Sequence, residues 1–110
     1  MTEDEQLSAS LRELRQNGGE VLLSDLAGGD WDTVYVSPEP VSRNFVEKQV
    51  GVPVPMEDEF TQRGHVLVFL KDGAVQRATF TTPNLLRDGT YAAPVRLRAR
   101  GYPALIDIES

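Results

Sequence analysis

The sequence has no cysteine in its 110 residues, and His and Trp occur once each. Without thiolates, disulfide frameworks, cysteine-ligated zinc, redox pairs and cysteine nucleophiles are all excluded. A single imidazole, His65, does not build the usual histidine metal site, so no metal and no cofactor are expected. Long apolar runs are missing too. The longest aliphatic or aromatic run is Val66 to Leu70, against the roughly 20 residues that cross a bilayer. No membrane insertion is expected. The acidic first residues are unlike an export signal, so the chain as it stands reads as cytoplasmic unless its amino terminus has been trimmed. Phosphate-binding loops are absent as well: Gly18-Gly19 and Gly28-Gly29 lack the Lys-Ser/Thr or third Gly that such loops require.

What remains is ordinary globular usage, 40% hydrophobic and 25% charged, in a length that suits one domain over residues 1–110. Acids outnumber bases 17 to 11, and unevenly. Residues 1–60 hold 13 acids and four bases, net −9, whereas residues 61–110 hold four acids and seven bases, net +3. Attraction between the two halves of one fold is the plainer reading of that polarity, and steering of a partner the sharper one.

Thr2 and Glu5 have the spacing of a capping box, and Leu7, Leu11 and Leu14 recur at helical intervals until Gly18-Gly19. This predicts an amphipathic helix over 3–16. Glu20 to Leu23 reads as a short strand and Leu26 to Asp30 as a turn. WDTVYVS over 31–37 alternates, with Trp31, Thr33 and Tyr35 on one face, and carries bulky residues on both faces. Ser42 can cap a second helix bearing Phe45, Val46 and Val50, closed by Gly51. The alternating prolines of GVPVPMEDEF predict an extended surface segment.

The clearest local signal is HVLVFLK, then Asp72-Gly73, then AVQRATF. A two-residue turn with positive φ at both positions suits Asp-Gly, so a tight hairpin is predicted, with Lys71 opposite Ala74. Alternation from that turn predicts Val75, Arg77 and Thr79 on the face of Val66, Val68 and Leu70, with Ala78 and Phe80 on the face of His65, Leu67 and Phe69. PVRLRAR reads as a strand with Arg96, Arg98 and Arg100 on one side, and ALIDI as a last strand. Together these predict an α+β fold: a small, mainly antiparallel sheet of four to five strands with two helices packed on one face.

The strand WDTVYV followed by a helix and the hairpin LVFLKDG resembles a pattern of small, uncharacterised bacterial proteins of lipoprotein type. The matching residues are Trp31, Asp32, Val34, Tyr35 and Val36, then Leu67 to Gly73, within residues 29–75. The chain departs from that pattern in having no lipobox cysteine, so a lipid anchor is not expected unless the amino terminus was replaced. In size, acidity and α+β build it is also similar to immunity and inhibitor proteins of bacterial toxins, a class-level analogy.

Three functional classes compete. The first is a non-enzymatic, acidic protein-binding module that occludes a partner with a basic surface. Asp25, Asp30, Asp32, Glu57, Asp58 and Glu59 would steer association, and Trp31 or Tyr35 would anchor it if exposed, although core packing is the plainer role for both aromatics. The second is a small enzyme or ligand-binding domain with a pocket around His65 and a carboxylate such as Asp32, against which stands a structural His at the start of an apolar strand. The third is a nucleic-acid binder using Arg96, Arg98 and Arg100. Net −6 and the aliphatic residues between these arginines oppose it, and edge protection or pairing with acids is the plainer reading.

Overall fold

Strand His65–Lys71 is buried at its first six positions, so both of its faces have to be covered. A computed structural model describing residues 1–110 shows how this is done. In chain order the elements are α1 (Glu5–Asn17), β1 (Gly19–Leu22), α2 (Leu23–Ala27), β2 (Thr33–Val36), β3 (Val41–Ser42) and α3 (Arg43–Val50). They continue with β4 (Glu59–Phe60), β5 (His65–Lys71), β6 (Ala74–Thr81), β7 (Gly89–Ala92), β8 (Arg96–Ala99) and β9 (Ile106–Glu109). All strand pairs are antiparallel, in a four-stranded sheet β6-β5-β2-β7, a three-stranded sheet β1-β8-β9 and the short pair β3-β4.

The α+β class and the antiparallel pairing agree with the sequence. The layering is richer. On one face of the four-stranded sheet, Val34, Val36, Leu67 and Phe69 meet Leu7 and Leu11 of α1, Leu23 of α2 and the inward residues Leu97, Ala99 and Ile106 of the three-stranded sheet. On the other face, Tyr35, Val66, Val68 and Leu70 meet Val46 of α3 with Val54, Met56 and Phe60 around β4. Helices therefore cover both faces rather than one, and a third helix joins the two expected. Complete burial of each Val or Leu contributes about 1.5–3 kcal/mol, so the two cores together supply the main stabilisation.

Local signals explain most ends. The cap of α1 is Asp4 rather than Thr2: Asp4 Oδ1 accepts from the Leu7 N–H at 3.0 Å. Thr2 instead gives its carbonyl to Thr79 Oγ1 at 2.6 Å, because residues 2–4 run along β6, where the Asp4 N–H reaches the Phe80 carbonyl. Ser42 caps α3 as expected, accepting from the Phe45 N–H, although Phe45 itself points outward. The extended 52–58 segment leads into β4, Val54 and Met56 turning inward. Helix α2 begins where the expected strand ends and overlaps the expected turn, and β7 is a strand not expected from the sequence. Each is short and held from a distance, the Leu23 N–H by the Val95 carbonyl and β7 by pairing with β2.

Asp72 (φ 51) and Gly73 (φ 81) form the two-residue turn, with Lys71 opposite Ala74. The register then shifts. Leu70 faces Val75 but Phe69 faces Arg77, so Gln76 is an extra residue, a β-bulge. A one-residue slip exchanges the faces of everything beyond it. Arg77 and Thr79 consequently join Leu67 and Phe69, while Ala78 and Phe80 join Val66 and Val68, the reverse of uninterrupted alternation. Arg77 lies over the Phe69 ring, 4.9 Å from its centroid, and donates to Asp4 Oδ2 at 2.7 Å and to the Ala27 carbonyl at 3.2 Å. The bulge thus delivers a cation to the residue that caps α1.

Gly64, just before β5, has φ +117, and a Cβ there would lie 1.8 Å from the Thr81 carbonyl oxygen. Backbone cannot yield as a side chain can. Gly64→Ala is expected to destabilise the fold by about 2–4 kcal/mol, read from urea unfolding, because strain at positive φ adds to a backbone clash. A loss under about 0.5 kcal/mol would contradict this account, since surface changes fall in that range.

Candidate functional site

Asp30, Asp32 and Asp72 come together at the turn end of the β5–β6 hairpin. The link is local to the sheet: the Asp32 N–H bonds the Leu70 carbonyl, so the residues preceding β2 reach the hairpin turn. Asp32 Oδ2 accepts from the Asp72 N–H at 3.0 Å, and Asp32 Oδ1 accepts from the Thr33 hydroxyl at 2.9 Å. The Asp72 amide and then the Thr33 hydroxyl hold the Asp32 carboxyl below its ordinary value; desolvation opposes them less strongly, and the Lys71 charge adds a smaller lowering. Asp32 is therefore ionised and doubles as the clamp of the turn. Asp30, its side chain 90% exposed, stands 3.7 Å from Lys71, an open pair of little energetic weight. Lys71 thus pairs with Asp30 and its charge acts on Asp32, while Asp72, read from the sequence only as a turn residue, joins them through its backbone amide.

The remaining acidic candidates lie on other elements. Asp25 is exposed on α2. Glu57, Asp58 and Glu59 are exposed on the segment entering β4, where Glu57 is 3.6 Å from the terminal ammonium and Asp58 is 2.6 Å from Arg43. The Arg43 N–H also bonds the Asp58 carbonyl, so the central member of this trio anchors α3. Glu59 has no ion-pair partner.

Neither aromatic meets the condition of exposure. Trp31, 9% exposed, packs tilted against Phe69 with centroids 5.1 Å apart, and its Nε1 donates to the Gly28 carbonyl. Tyr35, 2% exposed, lies in the second core, where burial and then the charge of Asp88 push its hydroxyl up to about 12. The two rings sit on opposite faces of the sheet rather than on one, because the chain bends at Asp32 before β2 begins. Both are core residues.

His65 is 3% exposed and both of its nitrogens are spent. Nδ1 lies 2.7 Å from the Ser37 carbonyl oxygen, and Nε2 accepts from the Leu86 N–H at 3.3 Å. Those partners assign the proton to Nδ1 of a neutral ring. The Ser37 hydroxyl completes the arrangement by accepting from the Val66 N–H and donating to the Pro38 carbonyl. The imidazole ties three chain segments together, and no principal surface hollow is lined by it.

The arginine ladder of β8 is outward-facing, as expected, and matched by acids of its own sheet. Glu20 on β1 lies 3.2 Å from Arg96 and 3.0 Å from Arg98, Glu109 on β9 lies 3.5 Å from Arg98, and Asp107 lies 3.7 Å from Arg100. The hydrogen bond and charge of Glu20 raise Arg98 further. Arg77 is not part of this ladder; it belongs to the other sheet and to Asp4.

Two outcomes follow from this geometry. His65→Phe strands a buried amide and a buried carbonyl and is expected to cost about 2–4 kcal/mol in urea unfolding. For Asp32, whose folded value is depressed, the stabilisation is present above the ordinary carboxylate value of 3.8 and is lost as pH falls through the lowered one. Asp32→Asn should therefore be less stable at neutral pH and decline less steeply on acidification, followed by melting temperature from pH 7 to 2.

Comparison with protein-family models, with curated proteins and with solved structures gives no match to this chain.

Proposed function

We propose that this protein is a non-enzymatic binding module whose acidic surface meets a basic surface of a partner protein and occludes it, in the manner of an inhibitor or immunity protein. The observation that carries this reading is the hairpin end, where Asp30 and Asp32 gather beside the Asp72 turn, Lys71 pairs with Asp30, and Asp32 is held ionised. Charge fixed on a tight turn that is clamped to the adjoining strand suits recognition, because little motion is lost when a partner cation arrives. Asp25 and the trio Glu57, Asp58 and Glu59 add to the field that draws a basic partner in. Trp31 and Tyr35 act only by making the sheet rigid beneath it.

The test is association of a partner captured from lysate of the source cell with the immobilised protein. Two variants remove charge without touching the clamps. Asp30→Asn with Asp72→Asn keeps the turn, since Asn tolerates positive φ, and Glu57→Gln with Glu59→Gln spares the Asp58–Arg43 pair. Each is expected to slow association about three- to tenfold at low salt and to flatten its salt dependence, with melting temperature shifted by under about 3 °C. His65→Gln, if folded, should associate at the normal rate. Association indifferent to salt and to both acid variants, together with activity lost in a folded His65→Gln protein, would reject this reading in favour of one centred on His65.

A further inference from the structure

In a chain with acids to spare, six of the eleven basic side chains have a carboxylate within 4.0 Å, and five, Arg12, Arg15, Lys48, Arg63 and Arg87, do not. Three of those five, Arg12, Arg15 and Arg63, line one hollow of about 450 Å³. No carboxylate lines it. Arg12 and Arg15 share a face of α1, and Arg63 comes from the turn before β5. The Thr82 hydroxyl accepts from Arg12 and donates to Glu3 at 2.9 Å, so that acid reaches Arg12 only through the hydroxyl. Like charges gathered without a counter-charge repel, and a bound anion relieves the repulsion.

The walls describe the rest of the ligand. Two of the three large apolar side chains exposed on the molecule, Tyr102 (66%) and Leu105 (59%), line the same hollow. Arg15 is fixed there: its Nε and guanidinium nitrogen donate to the Ala104 and Pro103 carbonyls at 3.3 and 3.1 Å, and its guanidinium lies over the Tyr102 ring at 5.1 Å. Arg63 has no hydrogen bond or ion pair to protein, and its donors are free. Guanidinium forks suit phosphate oxygens, an exposed phenol ring suits stacking, and the volume falls within the range of about 300–1,000 Å³ of small-molecule sites.

We propose that this hollow binds a small phosphorylated ligand bearing a planar ring, of the nucleotide class, with Arg12 and Arg63 on the phosphate and Tyr102, steadied by Arg15, against the ring. The site uses side-chain forks in place of a glycine-rich loop. It is independent of the acidic surface discussed above.

The test is titration of the intact protein with AMP, ribose 5-phosphate and inorganic pyrophosphate at low salt, followed by calorimetry and backbone amide shifts. AMP is expected to bind saturably below about 1 mM, and about tenfold more tightly than ribose 5-phosphate, as stacking requires. Shifts should concentrate on residues 12–16, 63 and 84–85. Arg63→Ser is expected to weaken AMP and pyrophosphate about tenfold or more. Tyr102→Ser should abolish the advantage of AMP over ribose 5-phosphate and leave pyrophosphate unchanged. Both changes are at exposed positions, so an unchanged melting temperature certifies the comparison. Absence of saturable binding of all three probes to about 10 mM, or binding indifferent to Arg63→Ser, overturns the site. Equal affinities for AMP and ribose 5-phosphate overturn the ring assignment.

Discussion

Strand β5 has no polar face. Val66, Val68 and Leu70 point one way, Leu67 and Phe69 the other, and a sheet centred on such a strand is stable only when both sides are shielded from water. That requirement organises the molecule. The first 30 residues and the last 16 together build one cover, in which α1, α2 and the β1-β8-β9 sheet close over Leu67 and Phe69. The stretch between β2 and β5 builds the other, in which α3 and the β3-β4 pair close over Val66 and Val68. Because the ends of the chain must meet in the first cover, β1 pairs with β8, nearly 80 residues away in sequence.

Signals carried by neighbouring residues were legible for this reason and no further. The Asp72-Gly73 turn, the Ser42 cap and the alternation of Val95, Leu97 and Ala99 each depend on a few adjacent side chains, and each is realised. The Gln76 bulge is different. Nothing in AVQRATF marks it, because neither Gly nor Pro interrupts the run. Its consequence becomes intelligible only once Asp4 and Phe69 are seen waiting for Arg77. Placing Arg77 on the other face would bring a guanidinium among Val66, Val68 and Leu70, an apolar cluster. The division into separate sheets, the brief α2 and the strand β7 were invisible for a related cause: each is decided by partners distant in sequence.

The candidate site divides in the same way. Exposure of Asp25, Asp30 and Glu57 to Glu59 followed from charge alone. That Asp32 is a clamp, and that Asp72 completes the group, depends on β2 lying beside β5. His65 shows the contrast most clearly, since its role rests on Ser37 and Leu86, 28 and 21 residues away. The plainer reading of a lone His entering an apolar strand agrees with the hydrogen bonds it makes, and the same is true of Trp31 and Tyr35 as core residues.

Part of the imbalance between an acidic first half and a basic second half is met inside the fold. Glu20 answers Arg96 and Arg98, Asp4 answers Arg77, and Asp30 answers Lys71, each pair joining the two halves. What remains after this matching differs by sign: the acids left without an ion pair are spread along the chain, with Asp32 and Asp72 at the hairpin turn, whereas three of the five unpaired bases line the hollow beside Tyr102. Exposed pairs of this kind contribute little stability each. Folding accounts for those unpaired charges that hold backbone, Asp32 at the turn and Arg15 on the Pro103 and Ala104 carbonyls, but not for exposed ones such as Arg63. A charge that the fold does not use is free to be kept for something outside it.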